Sequence, residues 1–236
     1  MTSSDSEVRH REEGHIMRLV SRIVTGAVTS TVASAHTSTV TATAPAGGRP
    51  VPRPHDRPPS VTLRELGPGE TDVLDAVFAG LSGHSRYLRF HGATPRLTGP
   101  VRRTLAAVDG RRHIAVAAFG PDGVPIGIAR LIGSGGTQRR GAAAPEAVGN
   151  LRAVELAIEV VDAWQGQGIG RRLLVAVAAR GRQERYARLV ADVVAENTAM
   201  RVLLASVLPI VSVETDGHQV TLTADLRAGV LGLAAA

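Results

Sequence analysis

The stretch Gln165-Gly166-Gln167-Gly168-Ile169-Gly170-Arg171-Arg172 follows a run of strand-forming residues and opens an apolar helical segment. Three glycines in five positions permit a tight turn and let the backbone come close to a ligand. The N–H groups at the start of the following helix favour an anion. Two arginines in that first turn oppose the helix dipole unless a phosphate receives them. The stretch therefore predicts a pyrophosphate-binding turn.

The spacing of the glycines separates this turn from two common nucleotide-binding motifs. Counted from Gly166, the sixth residue is Arg171, where a dinucleotide-binding fingerprint requires glycine. A P-loop requires a lysine, and the chain contains none. Two alternatives stay open at this point: another kind of anion-binding turn, or a structural turn without a ligand.

The turn and its surroundings resemble the GNAT acetyltransferase superfamily. Its Gln/Arg-x-x-Gly-x-Gly/Ala signature is matched by Gln165, Gly168 and Gly170. The preceding segment 160–164 and the later segment 196–200 are similar to that superfamily as well. The resemblance covers about residues 60–226 and implies acetyl-CoA (coenzyme A) as the cofactor.

The resemblance also implies which residues bind the cofactor. They are Val160, Val161, Gln165, Gly166, Gln167, Gly168, Ile169, Gly170, Arg171 and Asn197. The backbone N–H of Val160 or Val161 is expected to form the oxyanion hole. Asn197 either contacts the cofactor or caps the helix that it opens, and both roles are compatible.

Composition limits the class of protein. All 27 basic residues are arginine, against 21 acidic residues, and aromatic residues make up only 3%. A nucleic-acid reader would interleave aromatic residues with a basic surface, so we expect no nucleic-acid partner. The chain has no cysteine, its eight histidines show no metal-ligand spacing, and no apolar run is long enough for a membrane span. We expect a soluble protein without a metal, and its oligomeric state stays open.

The chain divides into three parts. Residues 1–60 are rich in Ser, Thr, Ala and Pro and predict a disordered, low-complexity N-terminal extension. Residues 61–226 are expected to form the acetyltransferase domain, and residues 227–236 a short tail. Residues 17–35 loosely imitate a signal peptide, but acetyl-CoA is cytosolic, so a cytoplasmic location is expected and export is the alternative.

The pattern after residue 60 predicts an α/β sandwich with the GNAT fold, a mostly antiparallel central sheet flanked by helices. The predicted element order is β-α-α-α-β-β-β-α-β-α-β-β, with one short helix more than usual before the first hairpin. The predicted elements from the hairpin onward span residues 113–119, 125–132, 152–161, 168–183, 189–194, 197–206, 210–214 and 219–224.

A glutamate on the strand before the turn is the candidate general base. A lysine amine is neutral only about 0.04% of the time at pH 7, a deficit of about 4.6 kcal/mol that a positioned carboxylate can partly offset. The strand segment 153–158 resembles the one in bacterial Pat-type protein acyltransferases, a GNAT branch, which implies Glu155 as the base. The alternative is a strand glutamate paired with an arginine. Glu159 is the weaker candidate, because it lies closer to the cofactor.

The segment Ser85-Arg86-Tyr87-Leu88-Arg89-Phe90 resembles the same branch and places Tyr87 and Arg89 in the acceptor groove. The alternative is an amphipathic helix with solvated arginines. The sequence departs from many GNAT enzymes in having no tyrosine beyond the Asn197 helix to protonate the leaving thiolate. We expect acetyl transfer to a primary amine, taken as a protein lysine. A small-molecule amine as acceptor and a non-catalytic acyl-CoA-sensing domain are the alternatives.

Overall fold

The structure is a computed structural model that describes residues 60–133 and 151–228. The predicted extension up to residue 59, the segment 134–150 and the tail from residue 229 lie outside the described residues. The strands are β1 Thr62–Glu65, β2 His113–Phe119, β3 Pro125–Gly133, β4 Ala153–Val160, β5 Arg188–Val194, β6 Ile210–Asp216 and β7 Gln219–Asp225. The helices are α1 Thr71–Ala79, α2 Gly83–Phe90, α3 Gly99–Ala106, α4 Ile169–Gln183 and α5 Thr198–Val207, with a 3₁₀ helix at Asp162–Trp164.

The seven strands form one sheet in the order β1-β2-β3-β4-β5-β7-β6. Every neighbouring pair is antiparallel except β4 and β5, which are parallel. This confirms the predicted fold class. The parallel pair is short, since it joins only Ala153–Glu155 to residues 188–190. After Glu155, β4 continues for five residues without a recorded pairing to β5, so the two central strands part in the middle of the sheet.

Helices cover both faces of the sheet. Leu173, Leu174 and Val177 of α4 are fully buried against one face, in the same core cluster as Val154 of β4. Each such side chain contributes about 2–3 kcal/mol by leaving water. On the opposite face, Val77 of α1 packs with alanines and isoleucines of β2 and β3. The strands accordingly alternate between two buried sides.

Helix α2 lies on the same side as α1. The rings of Phe78 in α1 and Phe90 in α2 are 5.8 Å apart between centroids, in a tilted arrangement. Ser82 caps α2, because its hydroxyl accepts a hydrogen bond from the N–H of Ser85 at 3.1 Å. None of the helices in the two described ranges is long and apolar enough to cross a membrane.

Candidate active site

The parting of β4 and β5 opens a cleft with a volume of about 360 Å³. Its walls come from both faces of the sheet: Leu81, Ser85 and Leu88 on one side, and α4 and α5 on the other. Of the residues predicted from the sequence, the cleft is lined by Arg89, Glu155, Val160, Gln165, Gly166, Gly168, Ile169, Gly170, Arg171 and Asn197. The structure thus brings most of the predicted site together in one place.

Three predicted site residues are not among those that line the cleft. Tyr87 is 37% exposed on α2. The side-chain amide of Gln167 donates to the carbonyl oxygen of Ala163 at 3.0 Å. Val161 packs instead with the cluster on the α1 side, where a Cβ added to Gly80 would lie 2.7 Å from Val161 Cγ1. The expected contacts of these three side chains with substrates are therefore not supported by their positions.

The backbone of β4 distinguishes the two candidates for the oxyanion hole. The N–H of Val161 donates to the carbonyl oxygen of Ile126 at 2.9 Å, on the β3 side. In an antiparallel ladder the adjacent residue directs its N–H and C=O to the opposite edge, and Val160 stands opposite Gly127 in the register. The backbone of Val160 therefore faces the opening between β4 and β5. Of the two N–H groups, only that of Val160 remains a candidate.

The glycine-rich turn has the geometry of an anion-binding site. Gly166 and Gly168 have φ of 72° and 78°, the left-handed region that disfavours any side chain. Gly168 caps α4 without a side-chain hydrogen bond, and the N–H of Arg172 makes the first helical bond to its carbonyl. The N–H groups of Ile169 and Gly170 precede that bond and have no partner within the helix. These residues fit the diphosphate of coenzyme A.

The two arginines of the turn have different partners. Arg171 lines the cleft, and its Nη1 donates to the carbonyl oxygen of Ser206 near the end of α5 at 2.9 Å. Arg172 lies outside the cleft lining, and its Nη2 donates to the carbonyl oxygen of Val61 at 2.6 Å, just before β1. The interpretation of both arginines as phosphate ligands is therefore supported for Arg171 alone.

The side chain of Gln165 is held inside the turn. Its Nε2 donates to the carbonyl oxygen of Val160 at 2.9 Å, to Asp162 Oδ1 at 3.2 Å and to Ser85 Oγ at 3.3 Å. Burial raises the pKa of Asp162, but hydrogen bonds from Ser82 and Ser85 outweigh it, so that the pKa lies below its usual value. Gln165 thus ties the turn to the end of β4 and to α2.

Asn197 meets one of its two expected roles and is placed for the other. Its side chain caps α5 by accepting a hydrogen bond from the N–H of Met200 at 3.1 Å. The residue also lines the cleft.

Glu155 is the last residue of β4 with a partner on both sides. It stands opposite Ile132 of β3 and Val190 of β5, and the strands part directly after it. The residue is partly buried and lines the cleft. Strand alternation places it on the same face as Glu159, two pleats further along β4.

Glu159 lies between two arginines. Its Oε2 is 2.5 Å from Nε of Arg89, and its Oε1 is 3.5 Å from Nη1 of Arg130. The side chains of Glu159 and Arg130 are 5% and 1% exposed. Burial lowers the pKa of Arg130, as does the neighbouring Arg89, while Glu159 opposes the shift. Both oxygens of Glu159 are thus engaged by guanidinium groups, which leaves Glu155 as the better candidate for a base.

Two residues of this region are absent from the predictions made on sequence. Arg130 interrupts an otherwise apolar strand, and a lone arginine in such a run was a signal that could have been used. Asp192 of β5 lines the cleft, and its Oδ1 accepts a hydrogen bond from the hydroxyl of Thr221 at 2.6 Å. Its role depends on the parting of β4 and β5, which the sequence does not reveal.

Comparison with known proteins agrees with this geometry. The model of the acetyltransferase (GNAT) family matches residues 87–206, slightly more than half of the chain. The chain belongs to this family. It is an acetyltransferase that uses acetyl-CoA.

Solved structures show the same fold. The GNAT domain of S. lividans PAT is 27% identical, with a TM-score of 0.56, and the match covers 69% of this chain and 89% of that one. The yncA protein of Salmonella typhimurium, a putative acetyltransferase solved with acetyl-CoA, is 19% identical, with a TM-score of 0.44 and coverage of 75% and 96%. A cAMP-binding acyltransferase from Mycobacterium smegmatis is 23% identical, with a TM-score of 0.43 and coverage of 70% and 44%. No curated protein matches the chain.

Proposed function

We propose that this enzyme transfers the acetyl group of acetyl-CoA to the side-chain amine of a protein lysine, with Glu155 as the general base. The observation that carries the proposal is the position of Glu155. It lines the cleft at the point where β4 and β5 part, next to the strand end that leads into the glycine-rich turn. A base at this point can reach an amine that enters between the strands.

The proposed donor site lies at the other end of β4. The N–H groups at the start of α4 and the guanidinium of Arg171 would hold the diphosphate of coenzyme A. The free edge of β4 from Leu156 to Val160 offers backbone groups to the amides of the pantetheine arm. The N–H of Val160 would then donate to the thioester oxygen as negative charge develops on it.

The proposed chemistry needs one proton acceptor and one bond exchange. Glu155 takes a proton from the acceptor ammonium, directly or through water, and the neutral nitrogen attacks the thioester carbon. The new C–N bond replaces the C–S bond, and coenzyme A leaves as a thiolate. With an ordinary thiol pKa near 8.5, this leaving group needs no strong acid, which is consistent with the absence of the usual tyrosine.

The choice of a protein lysine rests on likeness. The segments around Glu155 and Arg89 resemble the Pat-type branch, and the S. lividans PAT domain is the solved structure that combines 27% identity with a TM-score of 0.56. A small-molecule amine is the competing acceptor.

The test is release of free thiol from acetyl-CoA by the full-length chain. The acceptors are the peptide Ac-Gly-Lys-Gly-NH₂, its acetyl-lysine counterpart as a negative control, and spermidine as a small amine. We expect acetyl-CoA to raise the melting temperature and the lysine peptide to be turned over. Turnover of spermidine alone would replace the protein acceptor by a small molecule. A chain that acetyl-CoA does not stabilise would contradict the donor site.

A further inference from the structure

We infer that Arg89 is an anion-binding residue of the acceptor site and that the preferred acceptor is an amine with a carboxylate-type group close to it. The inference rests on the proposed function, and it adds a substrate class to it. The carboxylate could belong to a free amino acid or to an acidic side chain beside a lysine. The two sources share one chemistry, and the experiment separates them.

The first argument is the incomplete use of the Arg89 guanidinium. Its Nε is 2.5 Å from Oε2 of Glu159, while no hydrogen bond from Nη1 or Nη2 to any residue in the described ranges is recorded. The side chain is nevertheless 90% buried, with 10% exposed, and it lines the cleft. Guanidinium nitrogens removed from water need acceptors. A carboxylate on a ligand in the cleft would supply two in a bidentate pair.

The second argument is the balance of charge around Glu159. Two guanidinium groups, from Arg89 and Arg130, contact this one carboxylate. Arg130 is almost fully buried and its Nε has no partner among the described residues, so it remains with Glu159 whatever occupies the cleft. Glu159 therefore stays paired when Arg89 turns part of its charge to a ligand. Arg89 is the member of the pair that the cleft can reach.

The third argument is the separation of unlike charges along the cleft. Glu155 and Asp192 line it from β4 and β5, and Arg89 lines it from α2. An ammonium group is attracted to the two carboxylates and an anionic group to the guanidinium. An acceptor with both groups would be oriented with its amine at Glu155, whereas a simple amine gains nothing from Arg89.

The experiment measures acceptor binding to the full-length enzyme saturated with coenzyme A, which cannot react, by titration calorimetry. One arm uses ω-amino acids of two to six carbons, each compared with its own amide. The other arm uses the peptides Ac-Glu-Lys-Gly-NH₂ and Ac-Gln-Lys-Gly-NH₂. At least one carboxylate probe is expected to bind about tenfold more tightly than its neutral partner, the gain of one charge-assisted pair.

Variants assign the preference to Arg89. In Arg89→Gln the carboxylate preference is expected to fall to about onefold, while Arg89→Lys keeps part of it because the charge remains. Arg103→Gln, at an exposed position on α3, is the matched control and should keep the full preference. Equal binding of every carboxylate and amide pair to the wild-type enzyme, or an undiminished preference in Arg89→Gln, would overturn the inference. Neither result depends on turnover, so the proposed reaction is judged separately by thiol release.

Discussion

The side-chain amide of Gln165 donates to the carbonyl oxygen of Val160 at 2.9 Å and so joins the glycine-rich turn to the last residue of β4. The same nitrogen lies within hydrogen-bond distance of Ser85 and Asp162. Three separate segments therefore meet at one side chain. The residue that carries the family signature acts here as a support for the backbone of Val160, whose N–H is the candidate oxyanion donor.

Replacing Gln165 by Leu is expected to lower kcat about tenfold, because Val160 is no longer held in place at a cost of about 1.4 kcal/mol to the transition state. The dissociation constant of coenzyme A should change much less. Steady-state kinetics and calorimetry give the two quantities. A large loss of coenzyme A affinity at unchanged kcat would instead make Gln165 a direct ligand of the donor.

Replacing Glu155 by Gln is expected to lower kcat by about 10²- to 10⁴-fold at pH 7, since the amide cannot accept the proton of the ammonium group. The loss should shrink as the pH rises toward the pKa of the acceptor amine, because more of the amine is then already neutral. A pH series of kcat measures this. Glu214→Gln, at an exposed position on β6, is the control and should match the wild type. A Glu155 variant with normal turnover would remove the proposed base.

Replacing Gly168 by Ala is expected to cost about 1–2 kcal/mol of stability, because its φ of 78° places a Cβ in a strained conformation. Coenzyme A affinity should fall as well, since the start of α4 shifts. Gly83→Ala is the matched control: Gly83 starts α2, has no left-handed φ, and an added Cβ meets nothing within 4 Å. Urea unfolding and calorimetry of both variants test the difference.

The two neighbouring arginines are expected to separate binding from stability. Arg171→Gln should weaken coenzyme A binding about tenfold, because a charged ligand for the diphosphate is lost. Arg172→Gln should leave that affinity unchanged and lower stability by about 1 kcal/mol, because its bond to Val61 is partly buried. Equal losses of affinity in the two variants would show that both arginines reach the phosphates.

His113 is expected to make the fold sensitive to acid. Burial and the nearby Arg130 lower the pKa of His113 to about 4. The unfolded chain therefore binds a proton at higher pH than the folded one, and stability is lost as the pH falls from about 6.5 to about 4. Between pH 7 and pH 4, the wild type should lose on the order of 2 kcal/mol more than His113→Gln. Urea titrations at several pH values measure this, and parallel losses would contradict it.

The element order was predictable because each signal is local. The apolar alternation of His113–Phe119, the Gly120–Gly123 turn and the periodic face of α4 specify their structures without knowledge of distant residues. Element boundaries agree within about two residues. The 3₁₀ helix at Asp162–Trp164 was not predicted, since three residues carry no periodicity.

The side-chain partners of the site were predictable only in part. The position of Gly168 follows from the need for a left-handed turn, and sequence spacing suffices for that. The pairing of Arg89 with Glu159 joins residues 70 positions apart in the chain, and that of Arg130 with Glu159 joins residues 29 apart. Neither pairing follows from a motif, because each depends on how α2 and β3 pack against β4.

The early parting of β4 and β5 has a consequence for the order of events during turnover. The opening passes through the sheet, with the glycine-rich turn and Arg171 toward one face and Arg89 toward the other. Donor and acceptor can then reside in the enzyme at once, each reached from its own side, without one closing the route of the other. The chain also has no cysteine to carry an acetyl thioester. Direct transfer within a ternary complex, in one chemical step, is the kinetic scheme that such a sheet allows.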